Sequence, residues 1–120
     1  MATILVVDDN SITQRMVGYI LQQQGHHVVA AEHGHAALTL LDEQTCDLVI
    51  ADLTMPIMDG LTLLHHLRAD ERYHALPVVM LTASVLDQDR RRAQEGGASA
   101  FLTKPATSCM LHTTLSQLLA

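Results

Sequence analysis

The feature that most constrains this chain is a set of five short apolar runs, Ile4–Val7, Val28–Ala31, Leu48–Ala51, Val78–Leu81 and Ala100–Leu102. Most of these runs are continuous rather than alternating. Continuous runs fit strands buried on both faces, as in a parallel sheet, whereas alternation would leave one face to water. Parallel neighbours cannot be joined by tight turns, and their right-handed crossovers place helices on both faces. The pattern therefore predicts an α/β architecture with a five-stranded parallel sheet, doubly wound as (βα)5, with strand order 2-1-3-4-5. A length of 120 residues fits one domain, residues 1–120.

Helical periodicity fills the intervals. Ile12, Met16, Val17, Ile20 and Leu21 fall on one helix face, with Asn10 or Ser11 as the cap and Gly25 closing the helix. Ala37, Leu40 and Leu41 give a second stripe, and Leu61, Leu64 and Leu67, with Leu63 beside them, a third. Leu111, Leu115, Leu118 and Leu119 give a fifth, starting near Thr107 or Ser108. The fourth interval differs. Asp87 to Glu95 reads DQDRRRAQE and offers only Ala93 inside it, with Val85 and Leu86 before it and Gly96 and Gly97 after it. A helix with so few apolar anchors opens at low free energy, which suits an element that moves. The whole is a flavodoxin-like sandwich without linker, repeat or low-complexity segment.

Composition narrows the function. Hydrophobic residues make up 48 % but aromatics only 2 %, so Val, Ile, Leu, Met and Ala must build the core. The formal charge of −6 with histidines neutral argues against nonspecific nucleic-acid binding, which rests on Lys and Arg neutralising phosphates. Cys46 and Cys109 show no close pairing and read as free thiols of a reducing compartment. Met1 leads straight into the first apolar run without a basic flank or long apolar segment, and no run approaches a membrane span. The expectation is a soluble, cytoplasmic protein that binds neither nucleic acid nor membrane directly.

The chemistry collects at the carboxyl ends of the strands, where open α/β sheets bind ligands. Asp8 and Asp9 follow the first strand, Asp52 the third, Thr82 with Ala83 and Ser84 the fourth, and Lys104 with Pro105 the fifth. Strands one, three, four and five are neighbours in the expected order, so these residues converge. Three carboxylates in one crevice repel unless a cation or protons neutralise them. Hard oxygen ligands with room for water suit Mg²⁺, with Mn²⁺ as a substitute. A carboxylate can also attack phosphorus to give an acyl phosphate. Positioning and charge neutralisation are then the main needs. The Lys104 ammonium, the Thr82 hydroxyl and backbone N–H groups near Leu53–Thr54 and Ala83 can supply them. Met55-Pro56 and Asp59-Gly60 read as loop geometry, and Lys104-Pro105 as a candidate cis bond.

These residues resemble the response-regulator receiver domain of two-component signalling over the whole chain. The motifs are VVDDN with Asp8 and Asp9, DLTMPIMDG from Asp52, LTA with Thr82, and FLTKP with Phe101 and Lys104. Each is weak alone; their order and spacing are specific. The resemblance implies that Asp52 is the phosphoacceptor, and that Asp9, Asp52 and the backbone carbonyl of Thr54 ligate Mg²⁺ directly while Asp8 reaches it through water. It implies that Thr82 and Lys104 bind the phosphoryl group and that Thr82 and Phe101 form the switch, Phe101 following the inward movement of Thr82. The implied partners are a sensor histidine kinase or histidine phosphotransfer protein and a downstream target protein or domain. The implied chemistry is confined to Asp52 itself, without turnover of a separate substrate.

Two departures stand out. Ala106 follows Lys104-Pro105 where many members place a bulky apolar residue, and Gly96–Ala100 reads GGASA, without the acid of the transcription factors that dimerise through their fourth and fifth helices. Other functions fit less well. A dehalogenase-like phosphatase needs an acid two residues after its nucleophile, and Thr54 stands there. A flavodoxin-like electron carrier needs a Ser/Thr/Gly-rich phosphate loop after the first strand, where this chain reads DDNSIT, and aromatics beyond Tyr19, Tyr73 and Phe101. A purely structural pseudo-receiver would not need the intact acid, Thr and Lys set. His26, His27, His33, His35, His65, His66, His74 and His112 match no zinc spacing and read as surface or structural residues. Arg90, Arg91 and Arg92 read as a solvated helix face.

Overall fold

The runs Ile4–Val7, Leu48–Ala51 and Val78–Leu81 become central strands because each side chain has a helix to pack against on its own side. The computed structural model describes residues 2–55 and 57–119. In it β1 (Thr3–Val7), β2 (His27–Ala31), β3 (Leu48–Ala51), β4 (Val78–Thr82) and β5 (Ala100–Thr103) alternate with α1 (Ser11–Gln23), α2 (Gly34–Glu43), α3 (Gly60–Ala69), α4 (Asp87–Glu95) and α5 (Ser108–Leu118). All strand pairs are parallel, and the order is β2-β1-β3-β4-β5, as predicted.

Strand side chains point alternately to the two faces, and the core divides accordingly. Leu5, Val7, Val49, Ala51, Val78 and Met80 join Ala37 and Leu41 of α2, Leu63, Leu64 and Leu67 of α3, and Ala93 of α4. Ile4, Val6, Leu48, Ile50, Val79 and Leu81 join Val17 and Leu21 of α1 and Leu111 and Leu115 of α5. Each such Val, Leu, Ile or Met side chain, fully buried, contributes about 1.5–3 kcal/mol of transfer free energy. This two-sided burial is why the runs are continuous.

The helix ends use local polar groups. The Asn10 carboxamide oxygen accepts from the Ile12 and Thr13 N–H groups, and the Thr107 hydroxyl from that of Met110. His33 caps α2, its Nδ1 accepting from the Ala36 N–H at 3.1 Å, a capping role that the sequence reading did not assign. Gly25 closes α1 at φ +90°, which an L side chain rarely adopts. The Lys104–Pro105 bond is cis, as anticipated. Both cysteines are free, Cys46 buried and Cys109 exposed. Pro56 lies outside the described residues.

The α1 stripe is buried only along part of its length. Val17 and Leu21 are buried and Ile20 packs at their edge, but Ile12 is 69 % and Met16 54 % exposed. Met16 instead lines a groove of about 260 Å³ between α1 and Lys104, Pro105 and Ala106. The methyl of Ala106 is too short to fill the space against Met16, which stays exposed.

Candidate functional site

Parallel order brings the carboxyl ends of β1, β3, β4 and β5 side by side, and the residues that follow them meet there. Asp8, Asp52 and Thr82 are buried; Asp9 is exposed at the rim. One carboxylate oxygen from each of Asp8, Asp9 and Asp52 lies within 4.8 Å of the others. The Lys104 ammonium bridges the two buried acids, 2.9 Å from Asp8 Oδ2 and 3.0 Å from Asp52 Oδ2. Burial acts to lower the Lys104 pKa, but the hydrogen bonds it donates to Asp8 and Asp52, and their charge, outweigh it and hold the ammonium above the ordinary lysine value.

The remaining oxygens are oriented by backbone. Asp8 Oδ1 accepts from the Asn10 N–H at 2.9 Å, and Asp52 Oδ1 from the Thr54 N–H at 3.3 Å. The latter is one of the loop donors the sequence suggested. The Lys104 N–H donates to the Thr82 carbonyl at 2.8 Å, which ties the start of the Lys104 loop to the end of β4. Thr82 Oγ1 accepts from the Ser84 N–H at 3.3 Å. Phe101 sits beside Met80 on β5, half-buried against the α2–α4 side of the core.

Asp8, Asp9, Asp52, Thr82 and Lys104 thus form one cluster, with the Thr54 backbone at its edge. Phe101 stands apart on β5, with β4 between it and the strand that leads to Asp52. One ammonium faces three carboxylates, so the site carries uncompensated negative charge. A divalent cation would meet that deficit, and donor oxygens all within 4.8 Å of one another are compatible with Mg²⁺, whose opposed oxygen ligands stand roughly 4 Å apart.

Several supporting residues were not found by sequence reasoning. Gln14 on α1 donates through Nε2 to the Asp8 carbonyl at 3.2 Å and the Ala31 carbonyl at 3.0 Å, joining the ends of β1 and β2 beneath the acids. No pattern in the sequence marks it. Asp59 and Gly60 do more than shape a loop. Asp59 caps α3 by accepting from the Thr62 N–H at 2.8 Å. At Gly60 a Cβ would lie 2.1 Å from the Asp52 carbonyl oxygen, so only glycine lets α3 start against the Asp52 backbone. The Asp-Gly pair before an apolar stripe was the available signal, since acid then helix is a capping pattern.

Comparison with known proteins agrees with this geometry. The family model described as the response regulator receiver domain matches residues 4–116. The chain is 38 % identical over 102 residues to the phosphate regulon transcriptional regulatory protein PhoB of Escherichia coli, covering 85 % of this chain but 44 % of PhoB. It therefore spans less than half the length of that relative. The chemotaxis protein CheY4 of Vibrio cholerae superposes with a TM-score of 0.92 at 31 % identity, covering 98 % of each chain. The receiver domain of the sensor histidine kinase PA1611 of Pseudomonas aeruginosa PAO1, solved with a magnesium ion coordinated in its active-site cleft, superposes at 0.89 with 27 % identity over 99 % of this chain and 98 % of that one. Matched motifs, sheet order and the converged acid, Thr and Lys cluster lead to one assignment: the chain belongs to the receiver domain family of two-component response regulators.

Proposed function

We propose that Asp52 accepts a phosphoryl group from a phosphohistidine on a sensor histidine kinase or histidine phosphotransfer protein, and that this changes the surface offered to a downstream target protein or domain. The observation that carries the reading is the Lys104 ammonium bridging Asp8 and Asp52, with Asp9 within ligating distance of both. An Asp52 carboxylate oxygen forms the new bond to phosphorus, the phosphorus–nitrogen bond to the donor histidine breaks, and its electron pair stays on the imidazole. Lys104 then exchanges a carboxylate partner for a phosphoryl oxygen, and the Thr82 hydroxyl and Thr54 N–H donate to others.

Asp9, Asp52 and the Thr54 carbonyl would hold Mg²⁺ directly, with Asp8 through water. Bound there, the ion supplies charge neutralisation for the phosphoryl oxygens. Water later cleaves the acyl phosphate and restores Asp52. The protein turns over no separate substrate in this reading, and its place is the cytoplasm, where such donors act. Thr82 closes on the new group and Phe101 follows, a two-state element biased by charge.

The test is intact-protein mass after incubation with Mg²⁺ and acetyl phosphate. One Mg²⁺-dependent phosphoryl adduct, absent in Asp52→Asn, is expected. No adduct, together with no NMR response to beryllofluoride, would overturn the reading in favour of a phosphorylation-independent binding module.

A further inference from the structure

Helix α4 is held by polar contacts more than by apolar burial. Ala93 is its one buried side chain. Its N-cap, Leu86, makes no side-chain capping bond and is 54 % exposed, and Val85 before it is 80 % exposed. Two adjacent residues of its first turns reach outside the helix. Asp89 accepts a hydrogen bond from the Ser84 hydroxyl. The same hydroxyl oxygen accepts from the Leu86 N–H at 3.3 Å, and the Ser84 N–H donates to Thr82 Oγ1 at 3.3 Å. The guanidinium of Arg90 lies over the Phe101 ring, 5.1 Å from its centroid.

We propose that Asp89 and Arg90 are a pair of latches that hold α4 in the arrangement described here, Asp89 sensing Thr82 through Ser84 and Arg90 sensing Phe101 through its ring. The inference rests on the switch reading above and adds the positioning residues that carry it to α4. The physical argument is one of shared donors and faces. The Ser84 N–H now engages the Thr82 hydroxyl, so a Thr82 that turns toward a group on Asp52 leaves that donor, and the loop carrying the Ser84–Asp89 bond is freed to shift. A Phe101 ring that moves inward withdraws the π face over which Arg90 sits. Because the two side chains are neighbours on one short helix, both events release the same element. By linkage, whatever the latches contribute to the present arrangement is subtracted from the affinity for a phosphoryl mimic.

Removing a latch therefore tightens binding of the mimic, an effect opposite in sign to general damage. The experiment titrates beryllofluoride in saturating Mg²⁺ against the whole chain by NMR, with Asp52→Asn as the blank. Asp89→Ala and Arg90→Gln are each expected to bind about fivefold tighter than wild type, the size of one modest hydrogen bond or cation–π contact. The double variant should approach the product, about 25-fold, since both contacts bias one equilibrium. Asp89→Asn, which keeps an acceptor, should stay within about twofold. A thermal melt accompanies each, because a merely structural role lowers the midpoint without tightening the mimic. If wild type binds and both single variants match it within about twofold, the switch reading stands and the latches fall. If wild type shows no saturable binding that depends on Asp52, the phosphoryl reading falls and the latches with it.

Discussion

At the amino ends of the strands, polar side chains close onto backbone. Asp47 accepts from the Thr3 N–H at 2.8 Å, Ser99 Oγ from the Val78 N–H at 3.1 Å, and His26 Nδ1 from the Ala2 N–H at 3.2 Å. Arg68 donates through its guanidinium to the carbonyls of Tyr73, Leu76 and Gly97, joining the segments that lead into β4 and β5. At the carboxyl ends, charged side chains turn toward one another, with three acids, one lysine and a buried threonine in a single crevice. The strands are the same; only the ends differ. Satisfied backbone contacts stabilise a fold and leave little to titrate or bind. Crowded like charges cost stability and are kept where a ligand neutralises them.

The sharpest challenge to this contrast is Gly60→Ala. Its Cβ would meet the Asp52 carbonyl, which is backbone and cannot rotate away. We expect a loss of roughly 3 kcal/mol in denaturant titration, with weaker uptake of the phosphoryl mimic. A loss under about 1 kcal/mol would mean that α3 and the Asp52 loop shift freely, and that the carboxyl end is not rigidly supported.

Next comes the ion itself. A ligand that binds only the folded state at about 100 times its Kd adds about 2.7 kcal/mol. Mg²⁺ at matched ionic strength should raise the melting midpoint of the wild type, and this gain should vanish in an Asp8→Asn, Asp9→Asn double variant. An equal gain in both proteins would assign the effect to screening rather than to the crevice.

Arg68→Met probes the other end. It strips donors from the Tyr73 and Leu76 carbonyls, and about 1–3 kcal/mol should be lost. The Mg²⁺ increment should be unchanged, since Arg68 serves the amino ends only. A lost increment would couple the two ends and break the comparison.

The smallest effect is a pH slope. Burial foremost, with the charge of His112 adding, holds His26 below its ordinary pKa of 6.5. Nδ1 accepts from Ala2 only when neutral. The stability it lends is present above that ordinary value and is lost as pH falls through the lower folded one. His26→Asn should flatten the acid limb of stability against pH below about 6.5. Superimposable limbs would remove His26 as a contributor.

Much of the site was legible in the sequence because the topology that assembles it follows from the strand pattern. Asp8, Asp52 and Thr82 each stand directly after an apolar run, and Lys104 one residue beyond another, and a parallel order aligns those positions. Gln14 was invisible, since a glutamine on a helix carries no sign of whether it faces solvent or, as here, two strand-end carbonyls. Ser84 stands after the fourth apolar run in the sequence, but its bond to Asp89 needed the loop conformation. Ile12 and Met16 share the face of Val17 and Leu21 yet stay exposed, because periodicity reports which residues share a face, not how far the neighbouring element extends along it.

By itself, then, the sequence determined the element order, the doubly wound sheet and the identity of the clustered acids, because these follow from local hydrophobic periodicity and from the rule that parallel strands need crossovers. Only the tertiary structure decided which partner each polar group takes. Lys104 bridges two acids from different strands, Gly60 yields room to a backbone eight residues behind it, and Arg90 lies over Phe101. Such contacts depend on distances of a few ångströms between segments far apart in the chain, and residue type and spacing leave those distances open until the helices are packed on the sheet.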